Sequence, residues 1–427
     1  MSEPGTTPQL ARPPEVAPDS PPSPAAPRGP LELALALLGS YGLAVVLLLL
    51  LCLLVYLGTI EQVDLGLYEA QKRYFGSAFL VHRIELDERT SLPIPLPGVH
   101  LLLGLLSLNL LVGGLVRLRK TVRTLGVLIA HVGIALLLLA GMVTFWFSED
   151  GHLTLVEGAS GARFKSYHEW ELALFPVDPA GTAVGAELVV GDAELRRARP
   201  GHPMTFHHPE LPLELRVDAF APNSRPRRRP SPLGPPVDGW ALHELPLEKE
   251  AELNVAGVAC AALVGGQERA GVVWGFEHPR QPAFPWVLEL TGGARWAVEL
   301  RRREIDLPFT IRLEDFSHEY HPGTGVARNY QSRVTMVEDG VAQELVIRMN
   351  EPLRHRGYTL FQSSFGPPDA RPGDPGVWST FAVVRNPSDH VPIAACVVIG
   401  AGLLLHFVLK LGAWIRSQEA RRERGSA

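Results

Sequence analysis

The chain has 427 residues, 46% hydrophobic and 20% charged, and a formal net charge of -5. Length alone allows two or three soluble domains, but the apolar residues are bunched rather than spread. So small a charge, with no basic face carrying interleaved aromatics, gives no footing for a nucleic-acid partner.

Residues 1–30 contain ten prolines and polar side chains including Glu15 and Asp19. Such a segment buries too little to fold, so a disordered tail is expected. Four charge-free stretches follow: Leu33 to Ile60, Pro97 to Val116, Thr124 to Ser148 and Val391 to Leu409. Each is about the 20 residues a helix needs to cross a ~30 Å hydrocarbon core, which predicts four transmembrane helices in a lipid bilayer. The first is far longer than the ~7–15 residues of a signal-peptide core, so it reads as an anchor.

Residues 31–148 thus hold three spans, with a loop over 59–96 that carries Tyr74-Phe75 and ends in Pro93-Ile-Pro-Leu-Pro97. Proline there sets an extended entry to the second span. Arg117, Arg119, Lys120 and Arg123 join the second and third spans, and Lys and Arg near helix ends stay in the cytoplasm. The fourth span, 391–415, leads to a basic tail, 416–427, with Arg416, Arg421, Arg422 and Arg424. Both termini are then cytoplasmic, the 59–96 loop is external, and so is everything in 149–390.

That external region shows short β-branched and aromatic runs broken by Gly and Pro. Examples are Trp170 to Val177, Trp286 to Leu290, Phe309 to Leu313, Ser332 to Val337 and Ser379 to Val384. The pattern is that of an antiparallel all-β domain with no fixed repeat. The fold class expected is an α+β membrane protein, with four transmembrane helices and a large β-rich domain between the third and fourth. Ala221 to Pro236 and Phe365 to Pro375 read as loops, the first with a solvated Arg227-Arg228-Arg229 run. Of the cysteines, Cys52 and Cys396 fall in spans and Cys260 alone lies in the domain, so it holds no internal disulfide and no CxxC pair.

His131 sits in Ala-His-Val-Gly-Ile-Ala-Leu-Leu-Leu-Leu-Ala-Gly (130–141), roughly 10 Å below the cytoplasmic end of the third span. An ionisable ring there must be neutral, paired or ligating. Two readings stand: a neutral histidine bonded to a carbonyl of a neighbouring helix, and an axial ligand to haem iron in an apolar groove. One histidine fills one axial position, so a second ligand has to come from elsewhere. His406, in the cytoplasmic half of the fourth span, is the candidate within the chain. His100 lies at the external entrance of the second span. The external histidines show no HxH or HExxH spacing.

Four groups of residues resemble the ResB (CcsB) family of System II cytochrome c biogenesis. They are Gly58 to Phe75 with Ile94 to Gly98; the His131 helix leading into Glu149 to Gly158; Leu307 to Phe316 with His321 to Gly325; and Met349 to Leu353 with Gly357 to Ser364. They fall in order from about Leu33 to Trp414, and residues 195–285 lie outside the likeness. The resemblance implies a protein of the cell inner membrane whose partner is a CcsA/ResC-like subunit carrying a Trp-rich external motif; here the eight tryptophans are scattered. It implies that His131 is an axial ligand of haem b, shared with that partner. It further implies a role in carrying haem across the membrane for attachment to apocytochrome c, as an accessory subunit of a cytochrome c synthase (haem lyase) complex with no catalytic residue of its own. The competing reading is a membrane-anchored β-domain that acts as a binding or assembly scaffold without haem ligation.

Overall fold

The computed structural model describes residues 29–87, 90–280, 284–290, 292–323, 327–367 and 374–425. The proline-rich tail expected over 1–30 lies almost wholly outside these residues. So do the tip of the Phe365 to Pro375 loop and part of the His321 to Gly325 group.

Four helices are long and apolar enough to cross a membrane: Tyr41–Leu65, Val99–Val116, Val122–Phe147 and Val391–Arg424. Their outward faces carry exposed Leu48, Leu49, Val397 and Leu404, as lipid-facing helices do. Three lie before the β-rich domain and one after it, in the expected arrangement. The fourth helix continues through the basic segment to Gly425 instead of giving way to a tail at 415, since Ser417 to Arg424 contains no helix breaker.

The loop between the first and second spans is more ordered than its prolines suggest. The first helix runs on to Leu65, a short helix follows at Leu67–Tyr74, and Phe79–Asp87 pairs with Thr90–Pro97 as a hairpin. Tyr74 is fully buried, with its hydroxyl 3.1 Å from a Glu61 carboxylate oxygen and 2.5 Å from His82 Nδ1. Burial, reinforced by the Glu61 charge, pushes the phenol pKa up to about 12.

Between membrane helices, polar and small side chains make the joints. Asn109 donates to Leu38 O at 2.5 Å and Ser40 O at 3.0 Å, closing the break ahead of the first span. The third and fourth helices meet through Gly126, Gly133 and Gly402. A Cβ on Gly126 would stand 2.5 Å from His406 N, and one on Gly402 2.5 Å from Ala130 N, so the backbones touch there.

The domain has two lobes strung on two long antiparallel strands, Ser160–Val177 and Arg295–Tyr320. Their register runs from Arg295 opposite Val177 to Arg312 opposite Ser160. Toward the Arg295–Val177 end of this register, Trp170, Leu172, Leu174, Val298 and Leu300 pack on a second sheet ordered Gln267–Trp274, Gly257–Val264, Glu214–Ala221, Met204–Phe206. This sheet occupies the 195–285 region where no likeness was read. Along the other half, Phe164, Ile311 and Leu313 join Val334, Leu360 and Phe381 from three further strands in a separate core. The Ala221 to Pro236 segment is not all loop. Ser224–Arg227 pairs with Ala241–Glu244, and the Arg228 guanidinium lies 4.9 Å from the Trp240 ring centre, so part of the arginine run is spent on packing.

Two contacts set the domain on the helices. Tyr68 of the short helix stacks on His168 with ring centres 3.7 Å apart. Ser388, ahead of the fourth helix, bonds Thr144 Oγ1 at 2.7 Å and donates to Ala140 O at 3.0 Å. Within the domain, Arg302, 4.1 Å over the Trp170 ring, ties the two long strands to the segment 252–254 by donating to the carbonyls of Tyr167, Glu252 and Asn254.

Candidate functional site

His131 lies in the half of the third helix away from the domain, with Nδ1 3.2 Å from the carbonyl oxygen of Gly114 in the second helix. Two local features present that carbonyl. Gly114 is in the last turn of its helix, where carbonyls run out of downstream donors. It also lies in a wider π-type turn, Leu110–Val116. A carbonyl only accepts, so the bond places the ring proton on Nδ1 and leaves a lone pair on Nε2. No described residue bonds Nε2.

Beside the ring a groove of about 430 Å³ runs between the second and third helices. Leu110, Leu111 and Leu115 form one wall, with Ala135, Leu138 and Met142 on the other, and Ser107 is its one polar lining residue. His131 does not itself line the groove; Ala135, Leu138 and Met142 follow it at helical spacing on one face. Ser107 Oγ is buried with no partner. The arrangement is a neutral imidazole with one nitrogen held by backbone and the other uncommitted, next to an apolar slot.

The structure does not bring His406 to this place. Its backbone packs on Gly126, on another face of the third helix from His131, and its Nδ1 is buried without a partner. His100 meets Phe145 edge-on at 4.1 Å and also has a buried, unpartnered Nδ1. Sequence reasoning passed over Gly114, for which the Gly113-Gly114 pair inside an apolar helix was a usable sign of close approach. It also passed over His152 and His168, whose Nδ1 atoms are buried and unpartnered and whose burial pulls both pKa values below the ordinary range. No spacing rule marks them. Among the described residues no cluster of three or more His, Cys, Asp or Glu side chains is placed to hold a metal ion.

The model of the ResB-like family matches residues 284–372. That stretch is similar to the ResB-like family. The matched stretch holds the long strand Arg295–Tyr320 and the hairpins after it, and so covers the second half of the domain rather than the helices. Among characterised proteins the chain is similar to Protein NrfI of Wolinella succinogenes, at 24% identity over 273 residues, which is 62% of this chain. The chain corresponds to 26% of NrfI's length, so it matches one part of a much longer protein.

Proposed function

We propose that this ResB-like chain is a subunit of a System II cytochrome c biogenesis complex in the inner membrane, with its β-rich domain on the periplasmic side. The basic run Arg117, Arg119, Lys120 and Arg123 supports that orientation. Its cargo is haem b, whose iron His131 would hold as an axial ligand, with a CcsA/ResC-like subunit supplying the second ligand. The observation that carries this reading is the 3.2 Å contact between His131 Nδ1 and Gly114 O, which leaves Nε2 uncommitted beside the apolar groove. Metal-bound histidines commonly donate their other ring N–H to a carbonyl in this way, which fixes tautomer and ring plane.

The residues present fit an iron porphyrin: a neutral imidazole, an apolar wall and no competing charge within the groove. Haem supplies an iron that accepts the ligand and the vinyl groups to which cysteines of apocytochrome c are joined. This chain's part is to hold, orient and keep water away; Gly114 O retains the Nδ1 proton, and the leucines on both walls exclude solvent. The domain docks apocytochrome c or shields the attachment site. No acid or base from this chain is needed, which makes it an accessory to the cytochrome c synthase rather than its catalytic centre.

The test is the visible spectrum of the protein purified with its partner subunit. A b-type haem spectrum that His131→Ala abolishes, with loss of holocytochrome c, is the expected result. The same Gly114 contact also suits a scaffold whose His131 only ties two helices together. That reading predicts an unchanged spectrum and unchanged holocytochrome yield in the variant.

A further inference from the structure

A second cavity, of about 640 Å³, opens where the domain-side end of the third helix meets the short helix Leu67–Tyr74 and the first strands of the domain. Its membrane-helix side is mostly apolar, with Leu137, Gly141, Phe145 and Pro392 around the one hydroxyl of Thr144. Its domain side is polar, with Tyr68, Gln71, Ser148, Asp150 and His168. The charge-free helix ends at Ser148 and charged strand begins at Glu149, so the boundary between hydrocarbon and water passes through the cavity.

Two side chains define what it can bind. His168 has Nδ1 sealed away from solvent and every partner while its ring lies flat on Tyr68. A buried lone pair left unmatched costs less than a buried N–H left unmatched, so the proton belongs on Nε2, which becomes the ring's donor. The Asp150 side chain makes no hydrogen bond or ion pair with any described residue and brings a carboxylate acceptor to the same cavity. A hydroxyl group can accept from an imidazole N–H and donate to a carboxylate at once. An ammonium only donates, and a phosphodiester or ketone only accepts. The rings of Tyr68, His168 and Phe145, with His100 edge-on to Phe145, offer flat faces to an aromatic body. Leu137 and Gly141 lead from there along the membrane helix.

We propose that this cavity binds a quinol: an aromatic ring whose hydroxyl lies between His168 and Asp150 and whose apolar tail runs along Leu137 and Gly141. The site is separate from His131, which lies near the opposite end of the same helix, and it stands whether or not the chain handles haem.

The test is calorimetric titration of the full chain, in nanodiscs of phosphatidylcholine, with a short-tailed quinol under anaerobic conditions. Saturable binding is expected. It should weaken at least tenfold in His168→Phe, which keeps the stacked ring and removes the N–H, and in Asp150→Asn. Gly141 lines the cavity and has nothing within 4 Å of where a Cβ would be, so Gly141→Leu extends into the cavity and should abolish binding, while Gly400→Leu, equally open at its Cβ, should not. Melting temperatures of the variants identify any that fail to fold, and Gly141→Leu then decides. Absence of saturable binding, equal affinity in all variants, or displacement of the quinol by phosphatidylethanolamine would each overturn the proposal, the last in favour of an aminophospholipid.

Discussion

A Cβ placed on Gly114 would stand 3.2 Å from Nδ1 of His131 and 2.9 Å from Leu110 Cδ1. The glycine is therefore part of how the imidazole is held, since any side chain pushes the ring off the carbonyl that fixes its proton. On the proposed haem-holding role, Gly114→Ala is expected to lower haem occupancy by ~10-fold, in the range lost when a metal-bound histidine loses its supporting hydrogen bond. Gly114→Leu should remove it. The Soret absorbance per mole of purified complex is the readout, and Gly104→Ala, whose Cβ meets nothing within 4 Å, is the control.

The contact between the third and fourth helices has no room for side chains. A methyl on Gly126 or Gly402 meets backbone rather than a movable side-chain tip, so relief requires the helices to separate. Gly402→Leu is expected to cost about 2 kcal/mol, typical of overpacking a close contact, and to lower the melting temperature by several degrees in detergent. Gly412→Leu, which faces open space, should leave it unchanged.

The helices were legible in the sequence because hydrocarbon demands a run of residues that can be counted without knowing the fold. The domain was legible only as class. Short β-branched runs announced strands, but Ser160–Val177 and Arg295–Tyr320 each contain charges and a proline, Pro176 and Pro308, that local pattern reads as breaks. Their continuity comes from pairing with each other across more than a hundred residues, which no window can see. Gly257–Val264 went unread as a strand because it is buried on both faces and does not alternate. At the site, His131 stood out as an ionisable group among leucines. Gly114 and Tyr68 did not, because each earns its role from a partner distant in sequence.

Arg301 lies 2.8 Å from Glu171 and 2.6 Å from Glu187, with the Arg301 and Glu171 side chains 8% and 7% exposed. Removing the arginine alone leaves Glu171 buried without its counter-charge. Arg301→Met is expected to destabilise the protein by ~3–5 kcal/mol. Arg301→Met with Glu171→Leu should recover much of that loss, because Glu187 keeps Arg163 at 3.7 Å. Urea titration followed by tryptophan fluorescence measures both.

Acid should weaken the domain through two histidines before its carboxylates are reached. Burial lowers the pKa of His152 and His168 below the ordinary 6.5. Each therefore binds a proton more readily in the unfolded chain than in the folded one. Their contribution to stability is present in full above the unfolded value and declines as pH falls through 6.5 toward the folded values. The melting temperature is expected to drop between pH 7.5 and pH 5.5, and the double variant His152→Gln, His168→Gln should show a flatter dependence over the same window. An equally steep dependence in that variant would assign the acid sensitivity to other groups. Glu187, which the Arg301 hydrogen bond holds below the usual carboxylate range, acts only at lower pH.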